Sequence, residues 1–156
     1  MTKGQEAVDV LADGPVYRFA DWPIASIPKG PGVYTVWRAD EFLYVGIAGR
    51  EGARRDPKGV WGRLNSHASG RRSGDQFCVY VCDRLILLTL EGRLRDVADG
   101  RLSLDATTRG FIRRELSFRV LATADYSEAQ RLETRIKRVG LPGSGQPLLN
   151  PRNASD

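Results

Sequence analysis

The sequence predicts an α+β or α/β fold built on a small, mainly antiparallel sheet. Three observations carry this. GVYTVWR and FLYVG, at 32–38 and 42–46, are β-rich runs joined by the turn residues ADE, which is a hairpin pattern. SEAQRLETRIKRVG (127–140) places Ala129, Leu132, Ile136 and Val139 on one helical face. The remaining segments follow in the order hairpin, helix, strand, helices, strand, helix.

Taken along the chain, residues 1–14 are polar and acidic-leaning, a loose arm or short helix. PVYRF (15–19) alternates weakly and predicts an N-terminal strand. Three prolines make DWPIASIPKGPG a loop. After the hairpin, IAGREGARRDPKG is a Gly- and Arg-rich loop. VWGRLNSHA is a short helix stopped by Ser69-Gly70. QFCVYVC (76–82) reads as a strand, with Cys78, Tyr80 and Cys82 packed on one face. Apolar residues at 85, 87, 88, 90, 94, 97 and 98 predict a helix over 84–98 despite Gly92. Thr107 or Thr108 caps a further helix through Leu116, and SFRVLATA (117–124) is a strand. In the last helix Ser127 and Gln130 form a capping-box pair, and Gly140 and Pro142 stop it. The tail from Leu141 is loop. The expected division is an arm at 1–24, one domain at 25–151 with a helical insert at about 84–116, and a tail at 152–156.

The 156 residues suit a single domain, and 41% hydrophobic with 28% charged residues is ordinary for a globular chain. No apolar run is long enough to span a membrane, so no membrane partner is expected. The N-terminus lacks a secretory pattern, and two cysteines make no disulfide framework, so the default location is cytoplasmic. The net charge of +5 is concentrated. Between Arg50 and Arg72 lie Arg50, Arg54, Arg55, Lys58, Arg63, Arg71 and Arg72, opposed only by Glu51 and Asp56. The rest of the chain balances at 17 basic and 17 acidic residues. A local basic excess beside a balanced body is the footprint of a polyanion site or of a solvated loop.

With a turn centred near Ala39, Tyr34 and Tyr44 lie roughly opposite each other on one face of the hairpin. Gly32 and Gly46 sit at the same end. Glycine in a strand marks close approach by a ligand or another backbone. Two phenols beside bare backbone could form a phosphate pocket.

GVY at 32–34 and YVG at 44–46 resemble the two halves of the GIY-YIG nuclease signature. The resemblance continues in order: Arg63 and His67 at a four-residue spacing, Glu133 on a later helix, and Asn150 after it. It implies a three-stranded antiparallel sheet flanked by helices, GIY-YIG-like, here with an extra helical insert and an N-terminal strand. It implies a metal-dependent endonuclease hydrolysing phosphodiester bonds, directed at DNA, single- or double-stranded, with RNA as the alternative. One Mg²⁺ or Mn²⁺ would be held by Glu133 with waters and phosphate. Arg63 would hold the scissile phosphate, with His67 in support. Tyr34 would act as general base and Tyr44 as orienter, roles that could be exchanged. Asn150 would fix the tyrosine geometry or the sheet edge.

The lysine that many members carry after the second glycine is replaced by Ile47, Ala48 and Gly49, then Arg50, which does not readily give up a proton. Arg50, Arg54, Arg55, Lys58, Arg71 and Arg72 are the expected nucleic-acid contacts. Sequence preference would then come from the loop at 49–62, the helical insert, a homo-oligomer or a partner protein. Two alternatives use the same fold: a nucleic-acid-binding module that does not cut, and a nuclease effector or toxin. A lone Glu133 would otherwise read as a surface residue paired with Lys137.

Overall fold

A computed structural model describes residues 1–52 and 55–151; Arg54 and the expected tail at 152–156 lie outside them. In chain order the elements are α1 (Lys3–Asp13), β1 (Tyr17–Arg18), β2 (Gly32–Arg38), β3 (Glu41–Ala48), α2 (Gly59–Ala68), α3 (Gln76–Val81), α4 (Leu94–Ala98), α5 (Leu104–Glu115), β4 (Leu116–Ala122) and α6 (Tyr126–Val139). The class is α+β. The sheet is open and fully antiparallel, in the order β1-β4-β2-β3. It has four strands where the family resemblance implied three. The fourth is the short β1 inside PVYRF, paired through Tyr17 to Phe118 and Arg18 to Ser117.

Each sheet face buries its own core. On one face Tyr34, Val36, Leu43 and Phe118 pack with Val60 and Leu64 of α2, Phe77 and Val81 of α3, and Ile112 of α5. On the other, Val33, Trp37, Phe42 and Val45 pack with Val8 and Leu11 of α1 and with Ala129, Leu132 and Ile136 of α6. Residues 1–24, expected as an arm, therefore pack into the core: Val8, Leu11, Ala12, Phe19 and Trp22 are all buried.

QFCVYVC is α3, not a strand. Asp75 caps it by accepting from the Cys78 N–H at 3.2 Å, and Phe77, Cys78, Val81, Cys82 and Ile86 recur at helical spacing toward the core. The chain continues as a π-helical turn over Cys82–Ile86 and a 3₁₀ turn over Leu87–Leu90. The helix expected over 84–98 is thus broken before Gly92, and only α4 follows it. Ser103, not Thr107 or Thr108, caps α5. Asp125, not Ser127, caps α6; it accepts from the Glu128 N–H, while Glu128 accepts from the Ala124 N–H. Val139, expected on the buried face, is 60% exposed.

The hairpin holds the detail that positions the site. Arg38 pairs with Glu41 and Trp37 with Phe42, but Val36 pairs with Tyr44, so Leu43 is an extra residue, a β-bulge. Continued without the bulge, that register would set Tyr44 opposite Thr35, on the face away from Tyr34. The bulge turns Tyr44 back, and both tyrosines face α2 and α3. They are diagonal rather than directly opposite: Tyr34 pairs with Gly46 and Tyr44 with Val36.

Candidate active site

The tyrosines meet α2 at residues one helical turn apart. The ring centroids of Tyr34 and Tyr44 are 6.4 Å apart. The Tyr34 hydroxyl lies 2.7 Å from Nε2 of His67, and His67 Nδ1 lies 2.7 Å from Oδ2 of Asp75. Asp75 also accepts from the Ser66 hydroxyl at 2.8 Å and from the Cys78 N–H. His67 is fully buried against Phe77, with ring centroids 4.4 Å apart, and Tyr44 packs edge-on to it at 6.1 Å.

Burial pushes the His67 pKa down against the pull of Asp75, so the imidazole is neutral. Burial also pushes the Asp75 carboxyl up. The hydrogen bonds and charge from His67, with those from Ser66 and Cys78, overcome this and hold it at about 2. The ionised carboxylate fixes the proton of His67 on Nδ1. Nε2 is then an acceptor, and Tyr34 donates its O–H to it. The Arg63 guanidinium lies near enough for its charge to act on the phenol.

Both groups make the fold acid-sensitive, and the signs agree. Below about pH 6.5 the unfolded chain binds a proton at His67 that the buried ring refuses, so stability falls as pH falls. Asp75 has a folded pKa below its unfolded 3.8, so its contribution is present above that pH and lost as pH drops toward 2. That loss is about 2 kcal/mol. Denaturant midpoints measured from pH 8 to 2 should fall in two stages, and Asp75→Asn should remove the lower one.

The two tyrosines are not equivalent. Tyr34 is 1% exposed and its hydroxyl is engaged by His67. Tyr44 is half-buried. Burial first, then charge repulsion from Tyr44, raises the Tyr34 pKa, while Arg63 opposes the rise. Burial raises Tyr44 to about 12, with Arg63 lowering it and Glu133 raising it. The accessible phenol is therefore Tyr44, which favours the exchange of the two roles that the resemblance left open.

The glycines serve the protein's own packing. A Cβ on Gly46 would run into the ring and hydroxyl of Tyr34, and one on Gly32 would strike the Leu121 carbonyl and Val60. The close approach is by these groups rather than by a ligand. Gly46→Ala should cost about 3 kcal/mol, as an overpacked core does, and urea denaturation measures it. Retained stability would mean that Tyr34 can leave its slot.

Asn150 stands at the open edge. Its side-chain amide accepts from the Val45 N–H and donates to the Val45 carbonyl, each at 2.9 Å. It acts as a neighbouring strand's peptide and pins the residue between Tyr44 and Gly46. Leu148 and Leu149 extend the same pairing to Phe42 and Leu43. α6 packs against this edge strand and brings Glu133 close enough for its charge to act on Tyr44. Glu133 also makes the ion pair with Lys137 that the sequence offered as the alternative, at 3.3 Å.

The basic window divides. Arg50 reaches the Tyr126 hydroxyl at 3.2 Å and lies over its ring. Lys58 lies 5.6 Å from the Trp61 ring centroid, as does Lys29. Arg72 is tied to Asp105 at 2.7 Å. Arg55 and Arg71 are exposed, and Arg54 lies outside the described residues. Asp56, counted in the sequence only as an opposing charge, braces the loop by accepting from the Gly49 N–H. Asp75 was missed altogether; an Asp after Gly74 and two residues before an apolar run is a helix-cap signal that would have found it.

No helix is long and apolar enough to cross a membrane among the described residues. The chain matches no protein-family model, no curated protein and no solved structure. The fold and the site thus define an α+β chain whose paired tyrosines, arginine and buried histidine–aspartate pair converge on one sheet face.

Proposed function

We propose that this chain is a metal-dependent endonuclease of the GIY-YIG type that hydrolyses phosphodiester bonds in DNA. The reading rests on one observation. Tyr34, Tyr44, Arg63 and His67, up to 33 residues apart in sequence, meet around one guanidinium, with Glu133 at the rim.

Arg63 carries the positive charge. No carboxylate forms a salt bridge with it among the described residues, so it is free to take a phosphate. Asp75, His67 and Tyr34 act in series as positioning residues that set its orientation. Tyr44, the accessible phenol, accepts the proton of the attacking water once it is itself ionised. The new bond forms between that water oxygen and phosphorus, the bond to the leaving oxygen breaks, and Arg63 holds the charge gathering on the non-bridging oxygens.

Among the described residues no group of three His, Cys, Asp or Glu side chains is placed to hold a metal. Glu133, 20% exposed and tied to an exposed lysine, offers one carboxylate. A lone carboxylate fits a hard cation that keeps waters and takes phosphate oxygens as its other ligands, as Mg²⁺ or Mn²⁺ does. Bound there, the ion would supply charge stabilisation to the phosphoryl and leaving oxygens.

The test is cleavage of end-labelled single- and double-stranded DNA, and of RNA, with Mg²⁺, Mn²⁺ or EDTA. Metal-dependent DNA products whose rate rises with pH from 6 to 9, as a high-pKa phenol requires, are expected. Salt-sensitive binding without products under either metal would replace the reading with a module that binds and does not cut.

A further inference from the structure

The far edge of the sheet carries a second concentration of arginine that the candidate active site does not use. Where β1 and the turn after it meet α5, an open groove of about 320 Å³ is lined by Arg18, Ala20, Gly110, Arg113 and Arg114. Three of these are cationic and none is acidic. Their only salt bridge among the described residues joins Arg114 to Glu115 at 3.7 Å, and both side chains are largely exposed. Such a pair holds the guanidinium weakly.

Arg113 is braced from behind, donating to the Ala68 carbonyl at 3.1 Å and the Trp22 carbonyl at 3.4 Å. Its pKa is lowered by burial and then by Arg109, a sign of accumulated positive charge. The Gly70 backbone packs on Arg109, which brings the exposed Arg71, next in sequence, close to the helix that carries Arg113 and Arg114. The floor is small. Gly110 sits mid-helix, where glycine weakens a helix, yet packing does not demand it. A Cβ there would meet only the Arg114 guanidinium, at an ordinary 3.5 Å. The bare backbone leaves room for a group to settle between the arginines.

We infer that this groove is a phosphate cradle for a nucleic-acid backbone, holding a phosphodiester remote from the one that is cut. The inference rests on the proposed nuclease reading for the identity of the polyanion. An open groove lined by three arginines suits a phosphate of a chain that runs on past it more than one enclosed anion. Both sites border α2. Arg63 and His67 face the tyrosines, while the carbonyl of Ala68 at its end takes Arg113, so the helix sets the spacing between the two phosphates.

The experiment compares wild type with the double variant Arg18→Ala, Arg114→Ala, both surface positions. Binding of a fluorescent 20-base-pair duplex would be measured in EDTA across a salt series, and cleavage with Mg²⁺. The variant should bind about tenfold more weakly near 0.15 M salt, and its log–log salt slope should be shallower by about two. Its kcat at saturating duplex should match wild type.

Unchanged affinity and slope, with wild type cutting, overturn the cradle and leave the nuclease. Weakened binding in the variant, with no cutting by wild type, supports the cradle and overturns the nuclease. Absence of wild-type binding overturns both. Unchanged duplex binding, with a thermal shift in inorganic phosphate lost only in the variant, overturns the backbone assignment in favour of a free anion.

Discussion

Glu133→Gln is expected to reduce DNA cleavage about 10³-fold or more while leaving the melting temperature close to that of wild type. The substitution keeps the shape of the side chain. It gives up the ion pair with Lys137, which at this exposure contributes well under 1 kcal/mol. The opposing sign makes the measurement decisive. Glu133 raises the Tyr44 pKa through its charge, so neutralising it brings the phenol nearer to ionisation. If the glutamate were only half of a surface ion pair, the variant would cut as fast as wild type or faster. If it holds a cation, the gain in basicity is lost against the missing metal. Gel-based rates for both proteins at matched Mg²⁺, with duplex affinity measured in EDTA, separate the cases. Wild-type cleavage by the variant would remove Glu133 from the site.

How much of this was legible depends on which interactions are local. The hairpin, α2 and α6 announced themselves because each satisfies its own period within a dozen residues. So did the four-residue spacing that sets Arg63 and His67 one turn apart. α3 did not. QFCVYVC fits a strand's alternation and a buried helix equally well, and the arbiter is a single cap at Asp75. The error had a cost beyond one element. Read as a strand, the segment hid Asp75, whose carboxylate both starts α3 and orients His67.

The bulge at Leu43 was likewise illegible. It is fixed by the two cores, which take Phe42 on one face and both Leu43 and Tyr44 on the other. The roles of the tyrosines turn on exposure, which no spacing encodes. The signature glycines were read as close approach by a ligand or another backbone; Gly32 meets the Leu121 backbone, whereas the ring of Tyr34 fills the space over Gly46.

Arg63→Ala should lower kcat about 10³-fold, raise the duplex Kd less than about threefold, and leave the stability of the fold little changed. The last part follows from where the guanidinium sits. Burial is the largest influence on it and acts against its charge. Tyr34 and Tyr44, which would stabilise it as phenolates, are neutral at pH 7 as ordinary phenols are, and burial raises both further; the ionised Asp75 carboxylate favours its charge from nearby without a salt bridge. The fold thus carries a cation with no salt-bridge partner among the described residues, and removing it trades relief of desolvation against the lost attraction to Asp75, so stability moves little while activity disappears. That is the signature of a group kept for function. Affinity moves little because one cation among many neutralises one phosphate among many. Arg18 and Arg114 should behave in the opposite way, changing Kd and leaving kcat. Arg63→Lys should recover charge without the planar fork and restore little of the rate. Denaturant melts, single-turnover rates and duplex titrations on the same three variants test the whole pattern. A large loss of stability in Arg63→Ala, with kcat unchanged per folded molecule, would make Arg63 a structural residue and leave the phosphate without its principal contact.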